Sequence, residues 1–310
     1  MAFAFEADES VQHGVRRIVR AQLKKASKEL QEIESSSKSS EAVHSVRKRF
    51  KRLRAICRLV RDRLGEKAYR HLNYQFRDAG KPLTEARDSE VLVETFDKLM
   101  RESADKINCE DVAPIRRGLE LNQTKVHQRV LGQKDTLCDI HKIVEDARSE
   151  TDPLPIGCGG WSAIRKGLKR GYTSCQQACA AAAADASNEN LHEWRKQAKY
   201  FWHELQLIES IDPAAMKPMA NAVHELTKRL GDDHDLAVLK QTVNERSDRY
   251  GGEATIEKLL PLIPPRRVHL QKEAFEMQRK LFVEDADNFL DRLKDFWKSW
   301  RMAEKFVRSG

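Results

Sequence analysis

A segment written twice, once in each half of the chain, constrains this protein more than any other feature of its sequence. Residues 43–60 read VHSVRKRFKRLRAICRLV and residues 191–208 read LHEWRKQAKYFWHELQLI, so His44, Arg47, Lys48 and Lys51 align with His192, Arg195, Lys196 and Lys199. On a helix of 3.6 residues per turn, positions i, i+3, i+4 and i+7 share a face. Each copy therefore predicts a helix with one histidine and three cations on a single stripe. Val43, Val46, Phe50, Leu53, Cys57 and Val60 fall on the opposite side of the first copy, as do Leu191, Trp194, Ala198, Phe201, Leu205 and Ile208 in the second. Each helix thus has an apolar seam to bury, and burying it fixes where the cations point. Between His44 and Arg58 there are seven Lys or Arg and no acidic residue. No i,i+4 pair neutralises this face along its own helix, so it should attract a polyanion.

A second echo follows each copy. Residues 83–92 read LTEARDSEVL and residues 230–239 read LGDDHDLAVL, which sets Asp88 opposite Asp235, with Lys81 and Lys228 also in register. Two halves that share an ordered series of elements indicate internal duplication.

Strand signals are nearly absent: there is no sustained period-2 alternation and no Asn-Gly hairpin turn. The expected fold class is all-α. The stretch TDPLPIGCGG at 151–160 interrupts helical pattern on both sides and divides the chain into an N-terminal half, 1–150, a linker, 151–160, and a C-terminal half, 161–310. Helices are expected at about 10–33, 41–63, 66–79, 87–106 and 111–148, then at about 161–185, 188–210, 213–230, 233–250 and 253–302. The Ser35–Ser40 run reads as a loop. Pro264 and Pro265 should kink or break the last segment, and the Ala180–Ala184 run should let two helices approach closely.

With 310 residues the chain can bury a sizeable core. Its formal charge of +8 is modest for a chain that is 34% charged, so clustering matters more than the total. Six scattered cysteines form no CxxC pair and no zinc or disulfide framework, which favours a reducing compartment. The acidic start MAFAFEADES is unlike a signal peptide, and no window is apolar enough to span a membrane. A cytoplasmic protein is expected.

Two H-x-x-R-K-x-x-K segments, each followed by an Arg/His-Asp element and a short apolar run, resemble the CHAD family, the conserved histidine α-helical domain. The helices before them fit as well: VRRIVRAQLKK at 15–25 and IRKGLKRGY at 164–172. The resemblance spans essentially the whole chain. It implies a duplicated helical bundle, two pseudo-twofold-related four-helix bundles with their basic helices facing a central pore, and it implies binding of inorganic polyphosphate. Carried over by position, the implied phosphate contacts are Arg16, Arg17 and Arg20, then His44, Arg47, Lys48, Lys51, Arg54 and Arg58, and Lys81. The second half supplies Arg165, Lys169, His192, Arg195, Lys196, Lys199 and Lys228. Trp202 and Gln206 stand where the first copy has Arg54 and Arg58, so contacts should lean toward the first half.

Physical chemistry adds to this reading. Polyphosphate has no bases, so closely spaced Lys and Arg donors suffice to bind it. Single-stranded nucleic acid favours aromatic faces interleaved with charge, whereas Phe50, Trp194 and Phe201 fall on the seams and only Tyr200 and Trp202 lie near the basic face. A lone histidine is more often satisfied by a neighbouring carboxylate or carbonyl, but two at one repeat position with the same cations favour anion contact. The surrounding cations disfavour a metal there. Arg49 and Arg52 lie off the stripe and read as ordinary surface. Asp88 and Asp235 read as helix caps or as partners orienting basic side chains. The chain lacks a Walker loop, a G-x-S-x-G elbow, an HExxH motif and an acidic cluster for Mg²⁺. The expectation is a binding module with no catalytic residues, no metal and no cofactor, whose partner is polyphosphate, including polyphosphate granules. A nucleic-acid-binding protein and a phosphohydrolase are the alternatives.

Overall fold

Both seams are buried. In the computed structural model, which describes residues 3–309 except 36–38, 133, 152–153, 155 and 158, no residue of either seam is more than 4% exposed. Among the described residues every regular element is helical. The first half contains α1 (Val11–Ser35), α2 (Ser39–Leu59), α3 (Arg61–Leu64), α4 (Glu66–Glu102), α5 (Ala113–Leu131) and α6 (Lys134–Ser149). The second contains α7 (Trp161–Ala184), α8 (Asn188–Leu207), α9 (Pro213–Glu245), α10 (Glu253–Leu259), α11 (Ile263–Leu281) and α12 (Ala286–Ser309). Of the Ser35–Ser40 loop, 36–38 lie outside the described residues, and α2 is already helical at Ser39.

The largest departures from the expected boundaries are fusions. The expected helices at 66–79 and 87–106 merge into one helix of 37 residues, α4, which runs through Pro82 and ends at Glu102. Proline removes one backbone donor there, yet Leu72, Phe76, Ala79, Leu83 and Ala86 form one buried face on both sides of it. Packing of that face outweighs the local break. The expected helices at 213–230 and 233–250 likewise merge through Gly231 into α9, which is 33 residues long and ends at Glu245. It starts at Pro213, where the Asp212 side chain accepts from the Ala215 N–H.

Two expected helices are instead divided. The 111–148 segment breaks after Leu131, and the 253–302 segment becomes α10, α11 and α12. Pro264 and Pro265 lie in the first turn of α11 and so begin a helix rather than kink one. Asp285 starts α12, its Oδ1 accepting from the backbone N–H groups of Asp287 and Asn288 at 2.9 Å each. The alanine run does not mediate a close approach, since Ala180, Ala181, Ala183 and Ala184 are exposed and only Ala182 is buried. That role falls to Gly167 and Gly171, where a Cβ would overlap the Leu59 carbonyl oxygen and the Glu204 carboxylate.

Helix answers helix between the halves. α1 packs on α2 and α2 on α4, as α7 packs on α8 and α8 on α9. Equivalent helices also meet each other, α2 against α8 and α4 against α9. The core does not stop at the midpoint. One apolar cluster joins Phe50, Leu53 and Phe76 to Leu168, Tyr172, Phe201 and Phe289. A second joins Leu92, Phe96 and Leu99 to Leu236, Leu239 and Val243. The 151–160 linker lies partly outside the described residues; within it Ile156 is buried, and the Leu154 carbonyl accepts a hydrogen bond from Arg16. Among the described residues no helix is long and apolar enough to cross a membrane.

Candidate anion-binding cavity

With both seams turned into the core, the basic stripes of α2 and α8 are driven toward one another, and the long helices α4 and α9 flank them. Side chains of these four helices line a cavity of about 500 Å³. α2 contributes His44, Arg47, Lys48 and Lys51; α8 contributes Arg195, Lys199, Trp202 and His203. From α4 come Arg87 and Asp88, and from α9 come His224, His234 and Asp235. A second cavity of about 540 Å³ shares Arg47 and Lys51 with the first and adds Arg54, Arg77 and Lys81. All of its lining comes from α2 and α4, so the basic surface leans toward the first half.

The two carboxylates repeat one geometry. Asp88 Oδ1 lies 3.4 Å from Arg47 Nη2, and Asp235 Oδ1 lies 3.8 Å from Arg195 Nη2. Both acids therefore orient arginines. Neither caps a helix, because α4 and α9 run through them. Asp88 keeps 62% of its side-chain exposure against 13% for Arg47, so it is largely solvated and offsets little of the cavity's charge.

That charge depresses the lysines. Burial, followed by the neighbouring Lys199, Arg47 and Arg195, brings the Lys51 ammonium down to about 7. Burial and then Arg195 bring Lys199 down to about 8. The histidines are pushed toward the neutral form as well. Burial first and nearby cations second lower His44 and His192 from their ordinary value, and they take His234 to about 4. His203 falls to about 3, its ring buried and its Nδ1 within 3.0 Å of Gln206 Oε1. Burial of Asp235 raises its carboxyl.

Not every residue implied by the resemblance reaches this place. Of the seventeen, His44, Arg47, Lys48, Lys51, Arg195 and Lys199 line the first cavity, while Arg54 and Lys81 line the second. His192 stands at the margin, its ring centroid 4.5 Å from that of His234. Arg58 lies over the Tyr200 ring at 4.1 Å and donates to Gln197, at the junction of α2 and α8. Lys196 pairs with Glu193 and Lys228 with Glu225 on their own helices. Arg165 and Lys169 are held by Asp287 of α12. On α1, Arg16 donates to Leu154 O, Arg17 clamps Glu9 and Glu6, and Arg20 lies outside both cavities. α1 packs between α2 and α6, and none of its three arginines lines either cavity.

Arg49 and Arg52 also depart from expectation. Arg49 pairs with Glu29 of α1 at 2.7 Å, and Arg52 lies over the Phe3 ring at 4.5 Å. They fasten α2 to its neighbours rather than standing free in solvent. Among the titratable residues of the first cavity, Arg87, His203, His224 and His234 were missed in the sequence. Arg87 and His234 occupy one position of the Arg/His-Asp echo, so the signal for them was present. Trp202 and Gln206, which replace two arginines in the repeat, are committed to histidines. Trp202 stacks on His224 with centroids 4.1 Å apart, and Gln206 meets His203. Among the described residues no group of three or more His, Cys, Asp or Glu side chains could hold a metal ion.

Comparison with known proteins identifies the fold and the family. The crystal structure of the CHAD domain from the plant Ricinus communis superposes with a TM-score of 0.63 at 17% identity, over 96% of this chain and 95% of that one. At that identity the likeness establishes the fold. No curated protein matches the chain. The family model for the CHAD domain matches residues 17–244, a span that holds both basic helices, both Arg/His-Asp elements and every residue lining the two cavities. The chain belongs to the CHAD domain family.

Proposed function

We propose that this protein binds inorganic polyphosphate in the cavity between its halves and does not turn it over. One observation carries the reading: equivalent basic stripes from α2 and α8 converge, so that Arg47, Lys51, Arg195 and Lys199 face a common space. A linear polyanion can touch all four at once. Guanidinium forks suit phosphate oxygens bidentately, and ammonium groups add point charges between them. The second cavity extends the path past Arg54 and Lys81.

The aromatic inventory favours a ligand without bases. Trp202 is the one aromatic residue lining the first cavity, and it is stacked on His224; Tyr200 is covered by Arg58. Nucleic-acid binding by stacking has little open ring surface to use there. Against hydrolysis, the acids facing the cavity sit beside arginines rather than converging on a divalent cation. Such binding would hold the protein to cytoplasmic polyphosphate, including granules in which the polymer is concentrated.

The test is competition at matched ionic strength among long-chain polyphosphate, orthophosphate, DNA and RNA. Long-chain polyphosphate should win by a wide margin and orthophosphate should hardly compete. Affinity should fall as salt rises, since bound cations and polyanion both release screening ions. Equal affinity for RNA and polyphosphate would overturn the reading, as would release of orthophosphate from bound polymer.

A further inference from the structure

Resting on the reading of the cavity as a polyphosphate site, we propose that Lys51 and Lys199 take up protons as the polyanion binds. The site then loosens its hold as pH rises from neutral to mildly alkaline values.

The geometry sets the problem. Lys51 on α2 and Lys199 on α8 occupy equivalent repeat positions and face one cavity. Around them stand Arg47, His44 and Lys48 on α2, Arg87 and Asp88 on α4, Arg195 and His203 on α8, and His224, His234 and Asp235 on α9. Toward the second cavity lie Arg54, Arg77, Asp78 and Lys81. Glu90 and Glu94 neutralise Arg87, and Asp78 pairs with Arg77. Asp88 and Asp235 lie beside Arg47 and Arg195. Neither lysine has an ion-pair partner among the described residues.

An empty cavity of this kind holds too much positive charge for its depth. Arginine does not shed its proton in proteins, whereas a buried lysine does so readily. The two lysines are therefore the groups that discharge, which agrees with values of about 7 for Lys51 and about 8 for Lys199. The four histidines lining the cavity and His192 at its margin, all lowered from their ordinary value, give up their protons before the lysines do as pH rises. Phosphate oxygens entering the cavity reverse the balance, because an adjacent negative charge favours the ammonium form.

The linkage has a definite sign. Below about pH 7 both lysines are charged with or without ligand, and their contribution to affinity no longer changes with pH. Above that, each lysine that is neutral in the empty site must gain a proton on binding. Affinity then falls by about tenfold per pH unit for each such lysine, until pH passes the raised values of the bound state.

Calorimetry of the full chain with long-chain polyphosphate, repeated at pH 8 in buffers of different ionisation enthalpy, counts the protons directly. The expected uptake is on the order of one proton per occupied cavity, because both lysines are partly or mostly neutral at that pH before binding. The Lys51→Arg/Lys199→Arg variant keeps the charge but cannot discharge. Once its helical spectrum and melting match the parent, it should bind well at pH 7, show no uptake, and give a flat affinity profile from pH 7 to 9. Wild-type binding without uptake at pH 8 overturns the coupling alone, and so does uptake that persists in the double arginine variant. Failure of the wild type to bind at pH 7 overturns both the coupling and the polyphosphate reading.

Discussion

Withdrawing an ammonium group from water without a carboxylate in ion-pair reach destabilises a fold, and Lys51, half-buried in the cavity wall, is held in that way. Its value of about 7 in the folded protein lies below the ordinary 10.5. The unfolded chain therefore binds more protons between those two values, and the empty protein gains stability as pH rises through that window. Below about 7 the destabilisation is present in full. Lys51→Met should raise the melting temperature at pH 6, by the equivalent of about 0.5–2 kcal/mol, and by less at pH 9, while weakening long-chain binding. Thermal melts at the two pH values check this, and an unchanged or lower melting temperature at pH 6 would sink it. His44 and His192 carry a separate prediction. Both are lowered in the empty site, mainly by burial, and contact with phosphate raises them. Affinity should climb as pH falls through their bound values and level off below their free values, and His44→Gln/His192→Gln should flatten that climb. A wild type whose affinity is constant across the acidic range would make both histidines structural.

At the level of whole helices, the seams of α2 and α8 were legible because a 3.6-residue apolar period is a local signal that burial then enforces. Helix ends were less so. Gly80, Lys81 and Pro82 spell a local break, yet α4 continues because Leu83 and Ala86 prolong a face already packed through Phe76 and Ala79. Arg165 and Lys169 have the spacing of a phosphate-facing pair, but Asp287, more than a hundred residues away, holds both. No local pattern reveals such a partner. The approach of α7 to α2 was also hidden, since Gly167 looks like any interior helix glycine, a residue that weakens a helix relative to alanine. The crossing explains it: a methyl group there would meet the backbone of Leu59. Gly167→Ala should therefore destabilise the protein by about 1–3 kcal/mol, despite alanine's better helix propensity, in a chemical denaturation experiment. A stabilising or neutral result would mean that α7 shifts easily on α2.

Across the whole molecule the question is whether duplication built one site or two. Each basic stripe could have faced solvent on its own half, in which case the repeat would give two weak, independent surfaces. Instead α2 meets α8 and α4 meets α9, apolar clusters draw residues from both halves, and the charges act across the halves, Lys199 and Arg195 lowering Lys51 while Arg47 and Lys48 lower Lys199. A polymer long enough to reach both stripes then gains from effective concentration, because its second engagement is intramolecular. A short chain can satisfy only one stripe. Affinity should accordingly rise steeply with polyphosphate length and then level off once both stripes and the second cavity are occupied. Charge reversal at Arg47 and Lys51, which line both cavities, should cost long chains far more than short ones. Reversal at Arg195 and Lys199 should act in the same sense but less strongly, since the second cavity draws only on α2 and α4. The helical spectrum of each variant should match the parent, because both seams are untouched. Calorimetry across a length series decides the matter: two equivalent sites, each surviving destruction of the other, would separate the halves functionally even though they share a core.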